Sequence, residues 1–364
     1  DRGRKSMSKE KKNSGLSGLL RSQMIIPIAA ILILVLFNLI VDPSFFAIHM
    51  KINSAGNPVL AGYLITILDN GSELAILAIG MCLVTAASGG QDISVGATMA
   101  IAASVMLRIL CGANAAYSTP QAPLIAAFLA AAVVAMLFGA FNGILVAYFN
   151  IPPMVATLIL YTAGRSIAAW INHNCLPILN DATFAIFGSY IPGVPIPTPV
   201  FVAILCVVVA FLLLKFTALG TYVQAVGINE NSSRLNGINP KIVKFLTFVL
   251  LGLCVAVAAL IKCSRLGTIN YSVFAKDIEM DAILAVALGG NALNGGKFNL
   301  LSAVLGAYII QFLTTTLYKM DVAAAALPAY KAVVVIILVV ISSPAIKEKL
   351  SSLSKKRKAA KGAA

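Results

Sequence analysis

Long apolar runs, separated by short polar or proline-bearing breaks, pattern the chain almost from end to end. Met24–Val41, Ser72–Ser88, Ala97–Cys111, Leu124–Phe149, Met154–Ile171, Val200–Leu214, Phe245–Ile261 and Phe298–Leu317 approach or reach the roughly 20 residues a helix needs to cross a bilayer. Met280–Leu288 is shorter, and a last run ends at Ile346. No charged residue occurs between Ile109 and Gly164, too long a stretch for one crossing, so Ser118-Thr119-Pro120 and Asn150-Ile151-Pro152-Pro153 must turn it back. The pattern predicts an all-α, polytopic integral membrane protein of about ten transmembrane helices. Asp42–Asn70 reads as an outer loop with a short interfacial helix, and 173–199 and 262–279 as further outer loops. Lys215–Lys244 is the longest polar stretch on the inner side.

Two runs are interrupted rather than ended. Ala87-Ser88-Gly89-Gly90-Gln91-Asp92-Ile93-Ser94-Val95-Gly96 breaks the first, and Gly289-Gly290-Asn291-Ala292-Leu293-Asn294-Gly295-Gly296-Lys297 breaks the second. Non-helical backbone at membrane depth survives only inside protein or beside a water-filled cavity. Matched breaks in two hydrophobic halves predict broken, half-membrane helices around a permeation path. Leu74–Val105 and Leu284–Gly306 read alike, which suggests a weak inverted repeat with halves of about five spans.

Composition adds direction to this picture. The 364 residues are 60% hydrophobic and 11% charged, which excludes a soluble domain. A net charge of +14 could signal a nucleic-acid binder, but the excess sits in the tails. Seven basic residues precede Met24 and seven follow Ile346. That distribution predicts cytoplasmic termini, an even number of spans and contact with membrane lipid rather than nucleic acid. The expected division is a basic tail over 1–23, a transmembrane domain over 24–346 and a second basic tail over 347–364. Met24–Val41 leads into Asp42-Pro43 rather than a small-residue cleavage site, so it reads as the first span.

The six cysteines show no paired metal-ligand spacing and read mainly as small hydrophobes, although Cys111, Cys175 and Cys263 fall near outer ends and leave a disulfide open. With two histidines, neither a metal site nor a catalytic constellation can be assembled. Gly290–Lys297 is not a phosphate-binding loop, because five residues separate Gly290 from Gly296 and Phe298 stands where a hydroxyl is needed.

The polar candidates for the path are Gln91, Asp92, Ser94, Asn142, Arg165, Asn291 and Asn294, with Gly89, Gly90, Gly96, Gly289 and Gly290 as the structural breaks. Asp92 can cap a helix, lock the break or line the path; a proton relay lacks a second buried acid or histidine. Arg165 either faces a cavity or serves a structural ion pair or carbonyl cap. Gly139-x-x-x-Gly143 offers a face for close helix packing. In the inner loop, Asn229 can cap a short helix over Glu230–Asn236, Gly237 can close it left-handed, and Asn239-Pro240 can start the next span. Such a helix suits either a docking surface or an ordinary connector.

These motifs resemble the permease subunits of bacterial ATP-binding-cassette importers for monosaccharides, the ribose/xylose/galactose group, over roughly residues 25–345. Gly80-Met81-x-Leu83-Val84 with Gly89-Gly90-Gln91-Asp92-Ile93-Ser94-Val95-Gly96 is similar to the family's Gly-Gly-Ile-Asp-Leu-Ser-Val-Gly. Asn142-Gly143-Ile144-Leu145-Val146 through Ile151-Pro152-Pro153, Ala225-x-Gly227-Ile228-Asn229 with Gly237-Ile238-Asn239, and Asp281-Ala282-Ile283-x-Ala285-Val286-x-Leu288-Gly289-Gly290 extend the match. Within the group the chain looks most like galactofuranose-type permeases, on Val155–Leu160 with Ala163-Gly164-Arg165, Thr217-Ala218-Leu219-Gly220 and Phe298-Asn299-Leu300-Leu301. Gln91, Met154 and Asn291–Asn294 depart from the pattern and bear on the substrate.

The resemblance implies a multi-pass protein of the bacterial inner membrane. A periplasmic sugar-binding protein would deliver substrate to loops 173–199 and 262–279. Two permease chains, copies or sisters, would form the path. A separate ATPase subunit would hold ATP and magnesium, leaving no cofactor in this chain. Gly227, Ile228, Asn229, Arg234, Leu235 and Gly237 would then couple to the ATPase. Rival readings are a related permease for nucleosides, autoinducer or branched-chain amino acids, and an ion-coupled secondary carrier.

Overall fold

The computed structural model describes residues 24–52, 56–112, 116–117 and 119–342. The two basic tails, Ser118 of the expected turn and the end of the last run at Ile346 lie outside the described residues. Thirteen α-helices occur among the described residues. They are α1 (Ile25–Val41), α2 (Tyr63–Ser88), α3 (Val95–Cys111), α4 (Leu124–Ala147), α5 (Pro153–Ile171), α6 (Ala182–Ala185) and α7 (Thr198–Phe216), followed by α8 (Leu219–Ile228), α9 (Glu230–Leu235), α10 (Pro240–Leu266), α11 (Ile278–Leu288), α12 (Leu300–Lys319) and α13 (Leu327–Ser342). Of these, α2, α4, α5, α7, α10 and α12 are long and apolar enough to cross a membrane.

The chain is not wholly helical. An antiparallel hairpin pairs β1 (His49–Ile52) with β2 (Pro58–Ala61), and β3 (Ala116–Tyr117) pairs in parallel with β4 (Ile178–Leu179). Asp42 opens a 3-10 turn over Pro43–Phe46 by accepting the Ser44 N–H at 2.9 Å, and its other oxygen meets Lys319 at 3.1 Å. These partners hold its carboxyl down to about 2. A depressed acid contributes stability above its unfolded pKa, about 4, and loses it as pH falls through the folded value. A carboxyl-carbon NMR titration should therefore find Asp42 ionised down to about pH 2, with the Lys319 contact released only there.

α2 is the axis of the bundle. Every residue from Gly71 to Ala87 is buried, beneath α10, α12, α7 and α11. A helix buried on all faces belongs in a core, whereas α7 and α4 keep large side chains such as Leu205 and Leu137 exposed, as lipid-facing helices do. α4 lies against α10, where Gly139 leaves room for the Phe248 carbonyl and Gly252 for the Ala135 carbonyl. The small-residue face expected on α4 is thus its seam with α10.

Two expectations are corrected. The interfacial helix expected before Asn70 is the first part of α2, which runs unbroken for 26 residues, about 39 Å. Asp69 and Glu73 are tolerated within it because α10 supplies Arg265 and Lys262, at 2.9 Å in each pair. Likewise, 262–279 is not a surface loop throughout. Lys262–Leu266 complete α10, and the segment that follows descends into the bundle, burying Ile269, Tyr271, Phe274 and Ala275. Its upper part is tied to β4, with the Leu179 N–H donating to the Gly267 carbonyl at 2.7 Å. Its lower part rests on Gly96, which touches the Ala275 carbonyl. α11 follows directly and is only 11 residues or about 16 Å long, about half the roughly 30 Å of a bilayer's hydrocarbon core. All six cysteines are unpaired thiols, so no disulfide links the three near the loop ends.

Candidate functional site

The two breaks meet each other and the inner loop at one junction. Gly89 ends α2 in a left-handed conformation and faces the Asn294 carbonyl. The Gln91 side-chain amide donates to the Leu293 carbonyl at 3.1 Å, bridging the breaks across 202 positions. The Gly296 N–H donates to the Ala86 carbonyl at 2.9 Å. Gly227, in the last turn of α8, presses on that same bond: a Cβ there would overlap the Ala86 oxygen and crowd the Gly296 nitrogen. Ala86, Ala87, Val223, Val226 and Val243 form an apolar cluster behind it, which seats α8 on the C-terminal end of α2 and the N-terminal end of α10.

Within the first break, Asp92 is buried and closes a local turn. Its Oδ1 accepts from Ser94 N and Ser94 Oγ, both at 2.7 Å, and Asn142 Nδ2 donates to its Oδ2 at 3.2 Å and to Ser94 Oγ at 2.9 Å. The Asn142 Oδ1 is buried without a partner among the described residues. Gly90 packs on the Pro153 ring at the start of α5, and Thr157 Oγ1 accepts the Ile93 N–H at 3.2 Å. Gly96 starts α3 under Glu279.

The second break is held in the same manner. Asn291 is buried; its Oδ1 accepts the Asn299 N–H at 2.6 Å, and Asn299 in turn caps α12 through the Ser302 N–H at 3.2 Å. Gly289 touches the Ser302 carbonyl and Gly290 takes φ 76°. Asn294 is exposed at the tip. Arg165 lies apart from the junction: its guanidinium donates to the carbonyls of Tyr271, at 3.0 Å, and Phe274, at 2.7 Å, pinning the descending segment to α5.

The inner loop follows its local grammar. Asn229 caps α9 by accepting the Ser232 N–H at 2.9 Å, Gly237 takes φ 80° with open space around it, and Asn239 caps α10 ahead of Pro240. α9 projects from the bundle with Arg234 exposed and Leu235 89% exposed, next to Ile228 at 64%. One end of this segment is therefore locked to both breaks while the other is free to meet a partner.

Glu279 was not among the sequence candidates. It is buried with Oε2 unpartnered, and the alternation of Asp277, Glu279 and Asp281 ahead of an apolar run was the signal available for it.

The profile of the family described as "Branched-chain amino acid transport system / permease component" matches residues 63–343, which include both breaks and the inner loop. The galactofuranose transporter permease protein YtfT of Escherichia coli (strain K12) is 38% identical over 87% of this chain and 88% of its own length. The fructose import permease protein FruF of Bifidobacterium longum is 34% identical over 96% of each chain. The ribose import permease protein RbsC of Escherichia coli (strain K12) is 32% identical over 84% of this chain and 89% of its own. No solved structure matches. The family match spans most of the chain, and the chain belongs to the branched-chain amino acid transport system / permease component family.

Proposed function

We propose that this chain is the transmembrane permease subunit of an ATP-binding-cassette importer that moves a monosaccharide from a periplasmic binding protein into the cytoplasm. Its relatives over nearly the whole length are named for galactofuranose, fructose and ribose, and galactofuranose is the first sugar to try. The observation that carries the reading is the contact of Gly227 with both breaks, because it gives a cytoplasmic partner a rigid route to the interior of the bundle. The partner is a separate ATPase subunit that holds ATP and magnesium and receives α9, with Leu235 and Arg234 at its tip. A second permease chain completes the path. With α1, α3, α11 and α13, the six long helices would make about ten spans in the inner membrane, and the basic tails support cytoplasmic termini.

The test is co-purification of the chain with its ATPase and binding protein, followed by ATP hydrolysis in lipid with and without sugar-loaded binding protein. Stimulation by loaded binding protein is the expected result. A folded chain that neither associates nor stimulates would point instead to an ion-coupled carrier. A smaller change tests the docking segment. Gly237→Val places a β-branched side chain at φ 80°, costing about 1–2 kcal/mol of local strain at a position with open space around it. Stimulated hydrolysis should drop about threefold or more while the melting temperature barely moves; unaltered stimulation would remove α9 from the coupling path.

A further inference from the structure

A charged cavity of about 190 Å³ lies at the end of the bundle away from α8 and α9, between α2, the end of α10, the start of α11 and α12. It reaches to Gln311, about 17 Å along α12 from Leu300 and so about halfway along that helix. Its charges are largely matched. Glu73, 3% exposed, holds Lys262 at 2.9 Å and has Arg265 at 3.8 Å from its other oxygen, and Asp281 is gripped by Lys331 at 2.8 Å and 3.1 Å. Arg265 also donates to Asn70 Oδ1 at 2.7 Å.

Two groups on the wall are left over. The Gln311 side-chain amide and the Lys276 ammonium have no partner among the described residues. The first turn of α11, which lines the same cavity, lacks a side-chain cap. The carboxylates keep spare lone pairs after their ion pairs are made, since each can accept about four hydrogen bonds. Acceptors and donors thus both face the cavity, and Leu74 and Ile278 add a small apolar surface.

We propose that this cavity is a transient binding site for a neutral polyhydroxylated ligand, a single sugar ring, with Gln311, Lys276, Glu73 and Asp281 as its contacts; this rests on the importer reading above. A hydroxyl both donates and accepts, so a polyol satisfies such a wall without disturbing the existing ion pairs. A free anion meets the two carboxylates, and a free cation meets the three basic groups.

The test uses Gln311→Met and Lys276→Met, because neither side chain supports another residue. Each variant is reconstituted with the ATPase and binding protein, and uptake of radiolabelled galactofuranose, fructose, ribose and leucine is followed alongside ATP hydrolysis and melting temperature. Sugar uptake should fall about threefold to tenfold, the effect of one lost hydrogen bond, with the melting temperature retained. Unchanged uptake would overturn the site, as would a lowered melting temperature with lost stimulation, the mark of a purely structural network. Uptake of leucine rather than any sugar would overturn the ligand class. A wild-type assembly that none of the four ligands stimulates would overturn the importer reading itself.

Discussion

Gly227→Ala should be the most damaging single methyl at the junction of the two breaks. The added carbon would overlap the Ala86 carbonyl, with the Gly296 N–H close behind, and both are backbone groups that cannot rotate away. Either α8 lifts from α2 or the Gly296–Ala86 hydrogen bond breaks. Overpacking of this kind costs about 3 kcal/mol at its upper end, and the broken bond adds about 1. The expected result is a melting temperature lower by several degrees and loaded-binding-protein stimulation reduced at least about tenfold, equivalent to about 1.4 kcal/mol. A Gly227→Ala protein that melts and hydrolyses ATP like the wild type would refute the junction as a mechanical link.

Asp92 gives the second large effect, and the choice of substitution separates its roles. Asp92→Ala strands the Ser94 N–H and hydroxyl inside the bundle, at about 1–3 kcal/mol for each unsatisfied donor. Relief of burying a carboxylate offsets part of this, leaving about 2–4 kcal/mol of destabilisation. Asp92→Asn keeps one oxygen for Ser94. Its new amide can donate to the unpartnered Asn142 Oδ1 once Asn142 turns over, so the net cost should stay near 1 kcal/mol. Thermal unfolding in detergent should rank wild type and Asp92→Asn close together, well above Asp92→Ala. Equal melting of the two variants would exclude the turn-locking role. Full stability of Asp92→Asn with lost transport would instead assign Asp92 to the path.

The local features of this site were legible in the chain. Asn229, Gly237 and Asn239-Pro240 act within four residues of themselves, so their caps and turn followed from residue type and spacing. The Asp92–Ser94 turn is equally local. Long-range consequences were not. Gly227 looks like a weak helix residue until Ala86 and Gly296 are placed against it. Asn142 gains its meaning from a partner 50 positions earlier. The early start of α2 was obscured by Asp69 and Glu73, whose charges are answered only by α10. The descending segment after α10 carried too few apolar residues to read as anything but loop, although Arg165 holds it within the bundle.

The pairing of Glu73 with Lys262 also bears on biosynthesis. The two residues are 189 positions apart, a separation that takes about 10–40 s to translate. Throughout that interval α2 must be held by the insertion machinery, or tilt toward the interface, with an unanswered carboxylate that costs about 2.5–3.5 kcal/mol at a helix centre in lipid. α10 brings the matching cations at its own far end, so the central helix of the bundle is released into lipid stably only as one of a pair. The last third of the chain therefore completes the insertion of the first.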